Sequence, residues 1–267
     1  MRHVPRKRFG QHFLVDPEIV DRIVGAIDPR RSDHVVEIGP GLGALTVPLL
    51  ARLDHLHVIE IDRDLSGRLR DLHPAERLTV HQSDALQFDF ASLPAPLRMA
   101  GNLPYNISTP LLFHAAGVAD RCSDFHFMLQ QEVVDRMVAE HSASEYGRLS
   151  VMLQYRFRIE RLFEVPSHSF RPAPKVRSAM VRLVPRPAEE LEAHSEAALS
   201  RLVARAFSMR RKTLRNTLAG VISAEELEGI GIDPGKRAQE LPVAAFVTIA
   251  NRLAGGGTGP RQRRLAK

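Results

Sequence analysis

The chain has 267 residues, 44% of them apolar and 25% charged, with a formal net charge of +6. That is room for one large domain, or one large and one small, of an ordinary globular protein. No run approaches the ~20 apolar residues of a membrane span, the basic N-terminus lacks the apolar stretch of a secretory signal, and one cysteine, Cys122, cannot form an internal disulfide. A cytoplasmic location is expected, with no membrane partner.

Residues 6–15 come first. Asp16-Pro17 then reads as an N-cap followed by proline at the first helical position, ahead of a helix with Ile19, Val20, Ile23, Val24 and Ile27 on one face. His34 to Ile38 is a short apolar strand, followed by Gly39-Pro-Gly-Leu-Gly43 and a helix from Ala44 to about residue 53. Leu56 to Ile61 and Leu78 to His81 are further strands, with a helix over Arg63 to Leu72 between them. Leu97 to Gly101 is the fourth strand and Ile107 to Gly117 a helix, Asp124 to Leu129 the fifth strand and then a helix with Val133, Val134 and Met137. Arg148 to Arg156 reads as helix, and Phe157 to Val165 and Ala179 to Val184 as two closing strands. Alternating strands and helices imply a parallel sheet covered on both faces, and the closely spaced late strands an antiparallel edge. Pro185-Arg186-Pro187 breaks this pattern, and only helical periodicity follows, with Leu199, Leu202, Val203, Phe207, Leu214 and Leu218 as core candidates. The expected organisation is therefore an α/β Rossmann-like domain over 1–185, a small all-helical domain over 186–254 and a basic tail over 255–267.

Charge is segregated. Residues 1–15, 171–186, 197–224 and 255–267 hold roughly half of the Lys and Arg and no Asp or Glu, leaving the rest of the chain acidic. Basic surfaces on an acidic body point to a polyanionic partner, with 171–186 and 197–224 as the stretches for nucleic acid and the last one as a solvated tail.

Chemistry-bearing residues fall at successive strand ends. Glu37, Gly39 and Gly41 form a strand-to-helix turn in which backbone approaches a ligand closely. Glu60 ends the second strand, where a carboxylate accepts hydrogen bonds from ribose hydroxyls. Those two features fit a nicotinamide dinucleotide and S-adenosylmethionine alike. Three others favour S-adenosylmethionine: Glu37 placed for the methionine part, Asp84 for the adenine amino group, and Asn102-Leu103-Pro104-Tyr105, an amide, a proline and an aromatic ring at a strand end where an amine substrate would meet the methyl. Alone, Asp84 is equally a cap and the tetrapeptide is more often a turn; their joint order is far more specific. No metal is required, and no cluster of metal-ligating residues at suitable spacing appears.

The sequence resembles the ribosomal RNA adenine N6-dimethyltransferases, and within them the housekeeping bacterial small-subunit branch. The resemblance is carried by Arg8-Phe-Gly-Gln-His-Phe-Leu14, Val36-Glu-Ile-Gly-Pro-Gly-Leu-Gly43, Val58-Ile-Glu-Ile-Asp-Arg-Asp64, Gly101-Asn-Leu-Pro-Tyr-Asn-Ile-Ser-Thr-Pro110, Phe170-Arg-Pro-Ala-Pro-Lys-Val176 and Arg210-Arg-Lys-Thr-Leu-Arg-Asn216. It implies N6,N6-dimethylation of two adjacent adenosines in the 3'-terminal hairpin loop of small-subunit rRNA, by a monomer acting on the small ribosomal subunit or its precursor. It also implies that His12, Leu14, Gly39, Glu60, Asp84 and Asn102 contact S-adenosylmethionine; many relatives carry Asn where this chain has His12. In the expected chemistry the Asn102 side-chain carbonyl and the Leu103 backbone carbonyl, held by Pro104, accept the two N6 hydrogens, and Tyr105 stacks on the base. Phe170 either closes the other face or packs in the core. Arg210, Arg211, Lys212 and Arg215 are expected on RNA phosphates, with Arg6, Lys7 and Arg8 beside the cofactor mouth. The alternatives are a large-subunit enzyme of the resistance type, an assembly factor whose binding outweighs catalysis and, more distantly, a nicotinamide oxidoreductase.

Overall fold

The computed structural model describes residues 11–255. The chain divides into two compact units, one built from residues up to Val138 together with Arg156–Arg186, the other from Ala139–Tyr155 and the residues from Pro187 onward. In chain order the elements are β1 (Phe13–Leu14), α1 (Pro17–Ile27), β2 (His34–Ile38), α2 (Thr46–Leu50), β3 (Leu56–Glu60), α3 (Arg63–Leu72), β4 (Leu78–Gln82), β5 (Leu97–Asn102), α4 (Ser108–Ala116), β6 (Cys122–Gln130), α5 (Gln131–Val138), α6 (Arg148–Arg156), β7 (Phe157–Val165), β8 (Phe170–Arg171), β9 (Ser178–Pro185), α7 (Glu196–Ala206), α8 (Leu214–Thr217), α9 (Ala224–Gly229) and α10 (Val243–Gly255).

The first unit is a seven-stranded sheet in the order β4-β3-β2-β5-β6-β9-β7. β4 to β6 run parallel, and β9 and β7 close the edge antiparallel. This is the mixed α/β sheet expected from the alternation and the paired late strands. Asp16 does cap α1, accepting from the Glu18 and Ile19 amides at 3.1 and 3.4 Å. The buried face of α1 (Ile19, Ile23, Val24, Ile27) packs with Leu49, Leu56 and Val58 in one core. The helix expected over 44–53 is shorter, with only Thr46–Leu50 in helical form. Its first residues belong to the turn that Gly39, Gly41 and Gly43 make at φ of 69°, 59° and 88°, values side chains resist. A two-stranded ribbon, β1 with β8, lies apart from the main sheet and is an addition to the sequence reading.

The second unit is helical. Leu199, Leu202, Val203, Leu214 and Leu218 are buried as expected, and Phe207 packs against that core. The same core takes in Ala139, Tyr146, Val151 and Tyr155, so residues 139–155 belong with this unit and the expected first domain of 1–185 is corrected to omit them. The physical reason is burial: the apolar face of α6 completes the helical core. The tail beyond residue 255 lies outside the described residues.

Candidate active site

The carboxyl ends of the parallel strands carry the site, and close backbone contact sets its floor. A Cβ added to Gly101 would stand 2.3 Å from the Ile38 carbonyl oxygen, so only glycine lets β5 lie this near β2 just before Asn102. The Gly39 amide donates to the Ile59 carbonyl at 2.9 Å, tying the glycine turn to β3.

Above this floor is a cavity of about 320 Å³, of a size suited to a cofactor-sized ligand. It is lined by His12, Leu14, Glu37, Gly39, Glu60, Asp84, Asn102, Leu103, Pro104 and Tyr105, all singled out in the sequence, and by apolar walls from Ile38, Ile59, Ile61 and Ile107. Two of its carboxylates are buried: Glu37 is 2% and Glu60 5% exposed. Glu37 accepts from the Thr46 hydroxyl at 2.6 Å, and its charged neighbour is another carboxylate, Glu60. Burial, reinforced by Glu60, pushes the Glu37 carboxyl up to about 7. Burial also raises Glu60, opposed by amide hydrogen bonds. Its Oε1 accepts from the Asp62 amide at 2.9 Å and its Oε2 from the Gly41 amide at 3.1 Å. Gly41 therefore serves the site through Glu60 rather than by lining the cavity. A carboxylate has lone pairs for further donors beyond these two. Asp84 accepts from the Leu86 amide at 2.9 Å, so it caps a turn and lines the cavity at once. Apolar walls, two buried acids and, among the described residues, no cation against Glu37 fit a ligand with an apolar ring and positive charge, as S-adenosylmethionine has.

The lip is held by groups distant in sequence. The Asn102 Nδ2 donates to the His12 backbone carbonyl at 3.0 Å. A carbonyl only accepts, so the amide cannot be the other way round, and Oδ1 is the pole left for a ligand. The Leu103 amide donates to the Met128 carbonyl at 3.1 Å, and the Leu103 side chain is buried. The Tyr105 hydroxyl lies 2.7 Å from the Ser178 Oγ. The Tyr105 ring stacks on His12 with centroids 5.5 Å apart and 27° between planes. The His12 Nδ1 is 2.7 Å from the Pro172 carbonyl oxygen.

The family model for ribosomal RNA adenine dimethylase matches residues 2–255. The chain belongs to the ribosomal RNA adenine dimethylase family. It is an enzyme that methylates adenine in ribosomal RNA from S-adenosylmethionine. Similar chains include the ribosomal RNA small subunit methyltransferase A of Aromatoleum aromaticum, 61% identical over 94% of this chain and 95% of that one. The protein of the same name from Chromobacterium violaceum is 59% identical over 94% of this chain and 97% of its own. Among solved structures, a dimethyladenosine transferase from Plasmodium falciparum superposes with a TM-score of 0.81 at 27% identity, covering 92% of this chain and 98% of its own. The 23S rRNA methyltransferase ErmE gives 0.70 at 26% identity, covering 91% and 99%.

In this dimethylase Phe170 does not reach the cavity. It is fully buried, pairs with Leu14 across the β1–β8 ribbon and packs in the core of the first unit. The expectation that it closes a face of the base is corrected: the ring is a core residue. Arg6, Lys7 and Arg8 lie outside the described residues. Arg210, Arg211, Lys212 and Arg215 are exposed on the helical unit, and a guanidinium nitrogen of Arg210 donates to the Ser144 carbonyl. Sequence reasoning missed Thr46, Pro172 and Ser178. Pro172 and Ser178 act through partners far along the chain, His12 and Tyr105, and Thr46 through Glu37 nine residues before it; no sequence pattern marks any of the three.

Proposed function

We propose that this dimethylase converts two adjacent adenosines in the 3'-terminal hairpin loop of small-subunit rRNA to N6,N6-dimethyladenosine. Its substrate is the small ribosomal subunit or its assembly precursor, and it works as a cytoplasmic monomer. Identity of 61% to a small-subunit methyltransferase, against 26% to a 23S enzyme, favours the small subunit. No helix among the described residues is long and apolar enough to cross a membrane.

The observation that carries the reading is the Asn102 amide, locked by His12 with its oxygen pole at the mouth of an acidic cavity. S-Adenosylmethionine supplies a methyl group already activated on a sulfonium. The chain must hold it and present the amine. Glu60 would take the ribose hydroxyls, Asp84 the adenine amino group and Glu37 the positive methionyl part, with Leu14 and Gly39 as further lining. The target base leaves its stack to enter, and its N6 lone pair is delocalised into the ring. Acceptance of one N6–H by Asn102 Oδ1 and of the other by the Leu103 carbonyl favours pyramidal nitrogen and frees the lone pair. Pro104 fixes the backbone that aims that carbonyl. Tyr105 offers a face to the base, worth ~1–3 kcal/mol. Proton loss follows transfer, so alignment rather than a general base carries the rate. Arg210, Arg211, Lys212 and Arg215 hold phosphates.

The test is incubation of unmethylated small subunits with labelled S-adenosylmethionine, followed by mapping of methylated adenosines. Two neighbouring dimethylated positions are expected from the wild type, and none from Asn102→Ala, which still binds the cofactor in calorimetry. Wild-type turnover in Asn102→Ala overturns the proposed role.

A further inference from the structure

Tyr105 is held both at its hydroxyl and at one face of its ring. Its hydroxyl meets Ser178 Oγ at 2.7 Å. Ser178 is fully buried at the start of β9, where it pairs with Gln130 of β6 on one side and Val165 of β7 on the other. Its hydroxyl thus stands on backbone held from both sides. A hydrogen bond at the para position pins the axis of a phenol ring but leaves rotation about that axis free. The plane is set by a second contact, the His12 ring stacked on one face. His12 is itself held by its Nδ1 at the Pro172 carbonyl and by its own carbonyl at Asn102.

We propose that Ser178 is a positioning residue for methyl transfer: with His12 it presets axis and plane of Tyr105, so an extruded adenine meets a ring that needs no reordering. This rests on the proposed stacking of the base on Tyr105. The argument is one of preorganisation. A platform that must first stop rotating returns less of the stacking energy to the base, which already gives up its stack to enter. RNA affinity comes mainly from phosphate contacts, whereas entry of the base is an internal step after docking. Loss of the Ser178 hydrogen bond should therefore lower the fraction of docked complexes with the base in place. That reads out in kcat and leaves the KM for RNA alone.

The experiment is a double-mutant cycle on the full chain, with Ser178→Ala, Tyr105→Phe and the pair, using unmethylated small subunits and saturating S-adenosylmethionine. Each single change should lower kcat about five- to tenfold, the range of one lost hydrogen bond, with KM for the subunit and cofactor Kd within about twofold. The double variant should be no slower than either single one, because the two hydroxyls act as one unit. Ser178→Thr should restore kcat. The chain has three tyrosines, so the Tyr105 ring signals are readily assigned by NMR with labelled tyrosine. The hydroxyl proton shared by Tyr105 and Ser178, on whichever oxygen donates, should be protected from exchange and its signal lost in Ser178→Ala. Multiplicative losses in the double variant, unchanged kcat in Ser178→Ala, or no protected hydroxyl proton on either oxygen of the wild-type pair overturn the proposal. Absence of methyl transfer by the wild type would instead overturn the proposed function, and the NMR readout would still decide whether the clamp exists.

Discussion

Glu37 offers a measurable consequence of building an acidic cavity. Its carboxyl moves from an unfolded value of 4.5 to about 7 because it is buried, with Thr46 as a neutral partner and Glu60 adding repulsion. The folded state therefore holds a proton that the unfolded chain has given up between those values. Stability is undiminished below pH 4.5, falls as pH rises toward 7, and levels off above it. The full penalty is about 3 kcal/mol, at 1.36 kcal/mol for each unit of displacement, and about 2 kcal/mol of it falls between pH 5.5 and 8. Glu37→Gln keeps an acceptor for Thr46 and removes the charge. Urea unfolding of both proteins should show the wild type losing about 2 kcal/mol relative to the variant across that range. A cationic ligand reverses the penalty, since it favours the carboxylate. Calorimetry at pH 7 in buffers of different ionisation enthalpy should then show roughly half a proton released per S-adenosylmethionine bound, and none with Glu37→Gln. Parallel pH–stability curves for the two proteins would refute the reasoning.

Other consequences follow from the same geometry. Glu60→Ala removes the proposed ribose acceptor and also frees the Gly41 and Asp62 amides; cofactor affinity by calorimetry should fall about 10- to 100-fold, as for hydrogen bonds to a charged group. Reversing Arg211, Lys212 and Arg215 to Glu should weaken RNA binding and reduce the slope of log K against log salt by about 2–3; an unchanged slope places RNA elsewhere. Near the start of β3, burial and the neighbouring His55, His81 and His34 hold His57 down to about 4. Its contribution is complete above an unfolded value of 6.5 and is lost as pH falls toward 4. His57→Gln should remove about 1–2 kcal/mol of acid sensitivity in melts between pH 7 and 4.5, the full shift being discounted for partial solvent access.

The strand-end acids and glycines were legible because each follows a short β-branched run, and in a parallel sheet all such ends lie on one side. Glu37, Gly39, Glu60 and Asp84 do line one cavity, and Gly41 serves it through Glu60. Contacts across long sequence gaps were not legible. The β1–β8 ribbon joins Phe13–Leu14 to Phe170–Arg171 with two residues a side, too short for any period. Ser178 follows a Lys-Val-Arg stretch that reads as loop, and only the pairing of β9 brings it to Tyr105. Phe170 in a proline-rich loop was open to stacking or packing on sequence grounds, and its complete burial decides for packing. The apolar residues of 139–155 say that the stretch is buried, but not in which core, and they fill the helical one.

The lock on Asn102 bears on how one site serves two successive transfers. The first substrate carries two N6 hydrogens and the second carries one hydrogen and a methyl. If either acceptor were free to rotate, the monomethylated amine would find a less ordered site. Turning the Asn102 amide over would set its oxygen against the His12 carbonyl, acceptor against acceptor, in place of the 3.0 Å hydrogen bond. The cost of leaving such a pair unsatisfied is about 1–3 kcal/mol, enough to keep one orientation through both rounds. On the proposed reading Asn102 Oδ1 retains the one remaining N6–H in the second transfer, and the methyl occupies the side toward Leu103. Two-fold methylation then needs no second site, only one acceptor that does not turn, and the backbone of His12 supplies that constraint.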